Sequence, residues 1–261
     1  MKKYNYLWFV LIIFLTAIMM TACKTDKETL DVPTDVPATQ NSEQDTAVYN
    51  DLFAYKAEND AIQIIEQKSL IYKPEQTEIA LPEEIDGLPV KTIGKNAFYQ
   101  YKDTRSFVLP QNLLKIESCA FYRCYLLQKM IIPKNVELIE SEAFFRCSSL
   151  TEIEVDEQNL QYCSEDGVLF NKNKTVLHTY PEGKKNEKYI IPSSVTEIGD
   201  SAFGYHCAHL KEIVIGKNVT VFPDYNIFVF PDDITLRVDP DSAAEQYAKT
   251  HHLHYQVNPQ I

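Results

Sequence analysis

Glycine is scarce in this chain, at seven residues in 261. The seven form neither a Gly-x-Gly-x-x-Gly turn nor a P-loop, so the phosphate-cradling signatures are missing. Cysteine numbers six, yet no Cys-x-x-Cys occurs, and no structural zinc site is expected. No Gly-x-Ser-x-Gly elbow is present to raise a serine nucleophile. Carboxylates are plentiful, 37 against 25 lysines and arginines, so pairs such as Glu165-Asp166 and Asp239…Asp241 arise from composition. Acid–base work needs one carboxyl in an apolar cleft, and no pair is marked that way. Asp232-Asp233 and Asp239-x-Asp241 lack the EF-hand spacing with its glycine and terminal glutamate. The histidine cluster His251-His252-x-His254 brings neither further ligands nor a supporting shell for a metal. A net charge of −12 argues against nucleic acid and against adsorption to anionic lipid. No catalytic residue, cofactor or metal is therefore expected.

What is present begins with Met1-Lys2-Lys3 and an uncharged run from Tyr6 to Met20. That is the shape of a secretory signal peptide over 1–22, too short for a stable span of ~20 apolar residues. The run ends in Met20-Thr21-Ala22-Cys23, which resembles the lipobox of bacterial lipoproteins, with Met20 in place of the usual leucine. The resemblance implies acylation of Cys23; an uncleaved anchor with a free Cys23 is the alternative. Residues 23–47 are rich in Asp, Glu, Thr, Pro and Gln, and should form a disordered tether.

The rest of the chain repeats itself. Ile-Gly/Glu-x-x-Ala-Phe occurs at Ile93…Phe98, Ile116…Phe121, Ile139…Phe144 and Ile198…Phe203, the first three 23 residues apart. A fixed period of this length means a solenoid, whose units bury their apolar faces only by stacking. Each unit also carries a first string, Leu127-x-x-Met130-x-Ile132-Pro133, Leu150-x-x-Ile153-x-Val155 and Leu210-x-x-Ile213-x-Ile215, with a degenerate copy at Thr104-x-x-Phe107-x-Leu109-Pro110. Its alternation and β-branched content predict a strand, stopped by proline. A second string, Val/Leu-x-x-Ile, recurs at Val90, Leu113, Val136 and Val195, and as Val219-x-x-Phe222. It leads into Ala-Phe, which is expected to turn tightly and tuck phenylalanine into the core.

These strings resemble the BspA-type leucine-rich-repeat proteins, a bacterial surface class with a unit of about 23 residues. The segment Ile85-Asp86-Gly87-Leu88-Pro89-Val90 matches that family's lead into its first full repeat. The resemblance implies attachment to host, matrix or cell-surface partners. The fold class expected is an α/β leucine-rich-repeat solenoid, β-dominated, a curved stack of repeats with a β-hairpin insertion and terminal caps. The expected divisions are an N-terminal β cap at 48–92, repeats at 93–155, a hairpin insertion at 156–191, repeats at 192–238 and a C-terminal cap at 239–261. The insertion is inferred from Pro133 to Pro192, a step of 59 that exceeds one period by 36. Within it, Ser164–Phe170 and Thr175–Leu177 flank a polar turn at Asn171–Lys174. In the C-terminal cap, Asp241 or Ser242 should start a short helix with Ala244, Tyr247 and Ala248 facing inward.

Cys124 and Cys147 lie one period apart, with Cys207 one residue out of step. A buried ladder of thiols is the expectation and a Cys124–Cys147 disulfide the alternative. Cys119 and Cys163 have no evident partner. Tyr99, Tyr101, Tyr122, Tyr125, Phe145 and Tyr205 flank the Ala-Phe turns, either stacked along the solenoid or exposed as a binding stripe.

The function expected is a lipid-anchored, extracytoplasmic module in the bacterial envelope that binds an extracellular protein or glycan. A structural spacer or assembly protein is the alternative, with a surface hydrolase behind it. On the strand reading, the outward set is Gln128, Lys129, Ile131, Thr151, Glu152, Glu154, Lys211, Glu212 and Val214, and partner contact is placed there.

Overall fold

The structure, a computed structural model, describes residues 47–49, 53–65, 77–204, 207–224 and 234–258. All of them fall within one compact unit, 44–261. The signal peptide, Cys23 and the tether up to residue 46 lie outside the described residues.

The N-terminal cap is antiparallel: β1 (Ala47–Tyr49), β2 (Phe53–Glu58) and β3 (Ala61–Ile65). Asn59 and Asp60, both left-handed at φ 51° and 56°, make the two-residue turn that suits a twisted hairpin. After β4 (Glu78–Ala80) and β5 (Glu84–Ile85), β6 (Leu88–Ile93) pairs parallel with β3, so the hairpin closes one end of a stacked sheet.

From there two parallel ladders climb together. First strings supply β7 (Ser106–Val108), β9 (Lys129–Ile132) and β11 (Glu152–Val155), and β4 joins the edge of this ladder by pairing with β7. Second strings supply β6, β8 (Lys115–Ile116) and β10 (Leu138–Ile139). The register is the repeat length itself: Ser106 pairs with Lys129, Lys129 with Glu152, and Lys115 with Leu138. Each step is 23 residues, so equivalent side chains stack, and Ile93, Ile116 and Ile139 line one buried column.

The Ala-Phe elements are tight turns. Asn96, Cys119, Glu142 and Ser201, each just before the alanine, adopt left-handed φ of 58–61°. That kink turns Phe98, Phe121, Phe144 and Phe203 inward, where all are buried. Their rings stack from turn to turn, 5.4 Å between Phe98 and Phe121 and 5.6 Å between Phe121 and Phe144. Backbone bonds lock the column: Phe98 N–H donates to Ala120 O and Phe121 N–H to Ala143 O, both at 2.8 Å.

The expected insertion divides into two parts. β12 (Tyr162–Glu165), β13 (Val168–Asn171) and β14 (Val176–Thr179) form an antiparallel meander. Asp166-Gly167, at φ 49° and 73°, is the turn between the first two; the sequence reading had placed it inside a single run. β14 then pairs parallel with β16 (Glu197–Ile198), and β15 (Lys188–Ile190) pairs parallel with β17 (Glu212–Ile215). Residues 176–190 are thus a solenoid turn in disguise, with Tyr180 in the phenylalanine place. The pairing of Val176 with Glu197 steps 21 residues, two short of the period.

β13 is buried on both sides. Leu169 joins the N-terminal core, whereas Val168 and Phe170 join the C-terminal one. At the far end, β18 (Thr235–Val238) and β19 (Tyr255–Val257) extend the sheet to β15-β17-β18-β19. The helix α1 (Ala243–Thr250) packs beneath, with Ala244, Tyr247 and Ala248 buried. Ser242 is its N-cap: Ser242 Oγ accepts from Glu245 N at 3.2 Å, and Glu245 Oε2 accepts from Asp241 N at 2.8 Å.

Candidate recognition surface

On β9 the buried residues are Met130 and Ile132, which turns Lys129 and Ile131 outward. On β11 Ile153 is buried between Glu152 and Glu154, and on β17 Ile213 and Ile215 leave Glu212 and Val214 outside. Gln128, Thr151 and Lys211, at the starts of these strands, are exposed. All nine expected residues therefore lie on outward positions, but on two sheets. Six sit on β9 and β11 and three on β17, with the β12–β13 hairpin turned in between. Gly167 O accepts from Ile153 N at 2.9 Å, so that hairpin occupies the edge of β11.

Each patch combines an apolar row with ion pairs. Val108 and Ile131 are adjacent through the β7–β9 register and are each about half exposed, at 51% and 54%. Ile190 pairs with Val214, and Val214 with Arg237. Lys129 Nζ lies 2.6 Å from Glu154 Oε1 and 3.5 Å from Glu152 Oε2. Glu212 accepts from Lys188 Nζ at 2.7 Å and from Arg237 Nε at 2.9 Å. The hydrogen bond from Lys129 lowers the Glu154 pKa, and those from Lys188 and Arg237 lower that of Glu212. Glu154 in turn raises the Lys129 pKa. The carboxylates expected to greet a partner are already paired across strands.

Val108, Ile190 and Arg237 belong to these patches and were missed by the sequence reading. The signal existed: Val108 lies 23 residues before Ile131, and Arg237 23 after Val214. Degenerate first strings hid the step.

The flanking aromatics stack on one another. Tyr99 and Tyr122 lie 5.5 Å apart at 6°, and Tyr122 and Phe145 5.8 Å apart at 15°. The Arg123 guanidinium sits 5.2 Å from the Tyr122 ring centre, and its Nη1 donates to Tyr99 Oη at 3.3 Å. Tyr101 and Tyr122 are buried, and Tyr125 is half-buried. Tyr205 lies outside the described residues. Ring faces spent on neighbours do not form a free stripe.

Cys124, Cys147, Cys163 and Cys207 are free thiols. Cys124 Sγ donates to Phe98 O at 3.2 Å and Cys147 Sγ to Phe121 O at 3.1 Å, each reaching back one turn. Cys207, one residue out of step, bonds Phe203 O of its own turn at 3.0 Å. Cys119 is buried in the turn just before Ala120.

A shallow notch lies where the short turn lacks two residues, lined by Glu142, Phe145, Thr179, Tyr180, Glu182, Ser201 and Gly204. Burial raises the Glu142 pKa, opposed by a hydrogen bond with Ser201 that ties together the turns on either side. Glu182, buried, accepts from Arg146 N at 2.7 Å. These contacts are those of a joint. His251 packs on Tyr247 at 4.4 Å, while His252 and His254 are exposed. Among the described residues no group of three His, Cys, Asp or Glu is placed to hold a metal.

The chain is similar to several solved bacterial structures. One is a leucine-rich repeat protein from Eubacterium ventriosum, 18% identical, covering 72% of this chain and 70% of that one, with a TM-score of 0.44. Another is a leucine rich cell surface protein from Faecalibacterium prausnitzii, 15% identical over 72% and 73%, TM-score 0.38. A third is the leucine rich repeat protein of T. pallidum, 17% identical over 82% and 99%, TM-score 0.37. No curated protein matches the chain. The model of the BspA type leucine rich repeat region matches residues 63–183 and 168–230 in six copies, and includes the disguised turn. With well over half its length matched, and a β-dominated solenoid of about seven turns, this chain belongs to the BspA-type leucine-rich-repeat family.

Proposed function

We propose that this chain is an extracytoplasmic recognition module that binds an extracellular protein or glycan through the outward faces of its first-string strands, without catalysis. The observation that carries the reading is the pair of patches on a rigid ladder, each joining exposed aliphatic residues to a cross-strand ion cluster. Interfaces of this kind use an apolar centre with a charged rim that sets orientation and excludes wrong partners. Family membership and a neighbour named as a cell surface protein support an address at the bacterial surface.

The test compares the chain with a Glu152→Lys/Glu154→Lys/Glu212→Lys variant against arrays of glycans and extracellular proteins. Binding that is lost in the variant, with the fold intact, supports the reading. Binding that survives unchanged removes these faces.

The anchor is a separate proposal, carried by the lipobox-like Met20-Thr21-Ala22-Cys23. Acylation of Cys23 would tether the module to a membrane, with residues 24–46 as spacer. Mass spectrometry of the membrane fraction should find a diacylglyceryl group on Cys23. A Cys23 sulfur held instead in a disulfide rules the anchor out.

A further inference from the structure

The solenoid has a seam, and the seam is closed by side chains. β8 and β10 pair in the second ladder, the next pair is β14–β16, and β10 and β14 share no strand pairing among the described residues. The edge of β10 is satisfied otherwise. Ile139 N–H donates to Tyr162 Oη at 2.8 Å, and His178 Nε2 lies 2.9 Å from Ile139 O. A carbonyl only accepts, so Nε2 carries the hydrogen; His178 Nδ1 then accepts from Thr179 Oγ1 at 2.8 Å. The imidazole stands edge-on to Tyr162, 5.8 Å between centres. The two apolar cores meet at this level, on opposite sides of β13.

We propose that this seam is a pH-sensitive joint between the two blocks of the solenoid, latched by neutral His178 and loosened when its imidazole is protonated. Protonation puts a hydrogen on Nδ1, so the Thr179 hydroxyl must turn from donor to acceptor. It also puts a positive charge between packed strands. Tyr162, on β12, is the titratable group in contact. β13 presents Leu169 and Phe170. The carboxylates on the surrounding elements are Glu165 on β12, Glu197 on β16, and Glu137 and Glu140 flanking β10. None of them supports the charge: burial lowers the His178 pKa, opposed by the Ile139 carbonyl. A histidine whose pKa is lowered in the closed state favours closure above the ordinary value of 6.5 and loses that contribution as pH falls below it. One unit below, the open form gains by at most a factor of about 10.

Amide hydrogen exchange on the full chain tests this, at about pH 7.5 and about pH 5.5, corrected for the intrinsic pH dependence of exchange. Segments 137–141 and 176–180 should lose protection at the lower pH, by up to about tenfold, while β9 and β17 keep theirs. His178→Gln retains a neutral donor for Ile139 O and should abolish the difference. Equal protection at both pH values, the same loss in the variant, or a loss shared by β9 and β17 overturns the proposal. If the variant does not fold, the His178 ring is titrated by NMR in the unaltered chain. A midpoint below 6.5 that the Ile139 amide signal follows supports the joint, and a midpoint at or above 6.5 contradicts it.

Discussion

Tyr180 N–H donates to Ala202 O at 2.7 Å, and the Tyr180 ring lies 5.6 Å from Phe203. Phe98 and Phe121 stand in the same relation to the turn that follows each of them. Tyr180 is therefore the phenylalanine of a repeat that lost two residues: it follows Leu177 by three positions, where Phe121 follows Ile116 by five. The lost pair includes the left-handed residue, and no positive φ occurs between 175 and 203 except at Ser201.

The tyrosine carries one atom the place does not need. Its hydroxyl is buried and has no hydrogen-bond partner among the described residues. An unmatched buried hydroxyl is a cost. Tyr180→Phe should raise stability by about 1 kcal/mol, seen as a higher midpoint in urea. A loss of comparable size would mean that the hydroxyl is satisfied, and that this place differs from the other turns.

Gly183 closes the same turn against its neighbour. A Cβ there would lie 2.6 Å from the carbonyl carbon of Ser149 and 2.8 Å from Leu150 O, both backbone atoms. Gly183 N–H also donates to Leu150 O at 2.8 Å. Gly183→Ala should cost about 1–3 kcal/mol, whereas Gly216→Ala, where nothing lies within 4 Å of the added carbon, should not. Comparing the two thermal midpoints checks the close approach.

Thiol chemistry separates the cysteine ladder from a disulfide. Cys124, Cys147 and Cys207 are buried, and burial pushes the thiol pKa of Cys147 and Cys207 well up. An alkylating reagent should modify half-buried Cys163 first, and reach these three only after unfolding without reductant. If Cys124 and Cys147 react only after reduction, they are bridged.

Acid should weaken the chain through its surface pairs as well as its seam. The Glu154, Glu212 and Glu245 pKa values are lowered by hydrogen bonds, from Lys129, from Lys188 and Arg237, and from Lys249. A carboxylate lowered in the folded state contributes above its unfolded value and loses that contribution as pH falls through the folded one. The thermal midpoint should therefore drop below the ordinary carboxylate value of 4.5, and the drop should shrink in high salt, which screens exposed pairs. A midpoint flat with pH in that range would show that the pairs contribute nothing.

The repeat made the stacking direction, the inward columns and the alternation of β9, β11 and β17 readable from sequence, because a 23-residue step fixes which side chains lie above one another. The same arithmetic places the nine residues on outward positions while hiding that they lie in two patches. What separates them is Asp166-Gly167, a hairpin turn embedded in an apolar run. The disguised turn escaped because Thr179-Tyr180 carries none of the Ala-Phe pattern, and its ladder partners are set by tertiary pairing. The His178 contact is not legible in the sequence because its partner, Ile139 O, is a backbone atom 39 residues away.

The most direct measurement is the binding screen of the chain beside its Glu152→Lys/Glu154→Lys/Glu212→Lys variant. The account predicts a protein or glycan ligand whose binding is reduced at least tenfold in the variant, with an unchanged circular dichroism spectrum. Equal binding by both proteins, or no ligand for either, would contradict recognition through this face and favour the spacer or assembly role.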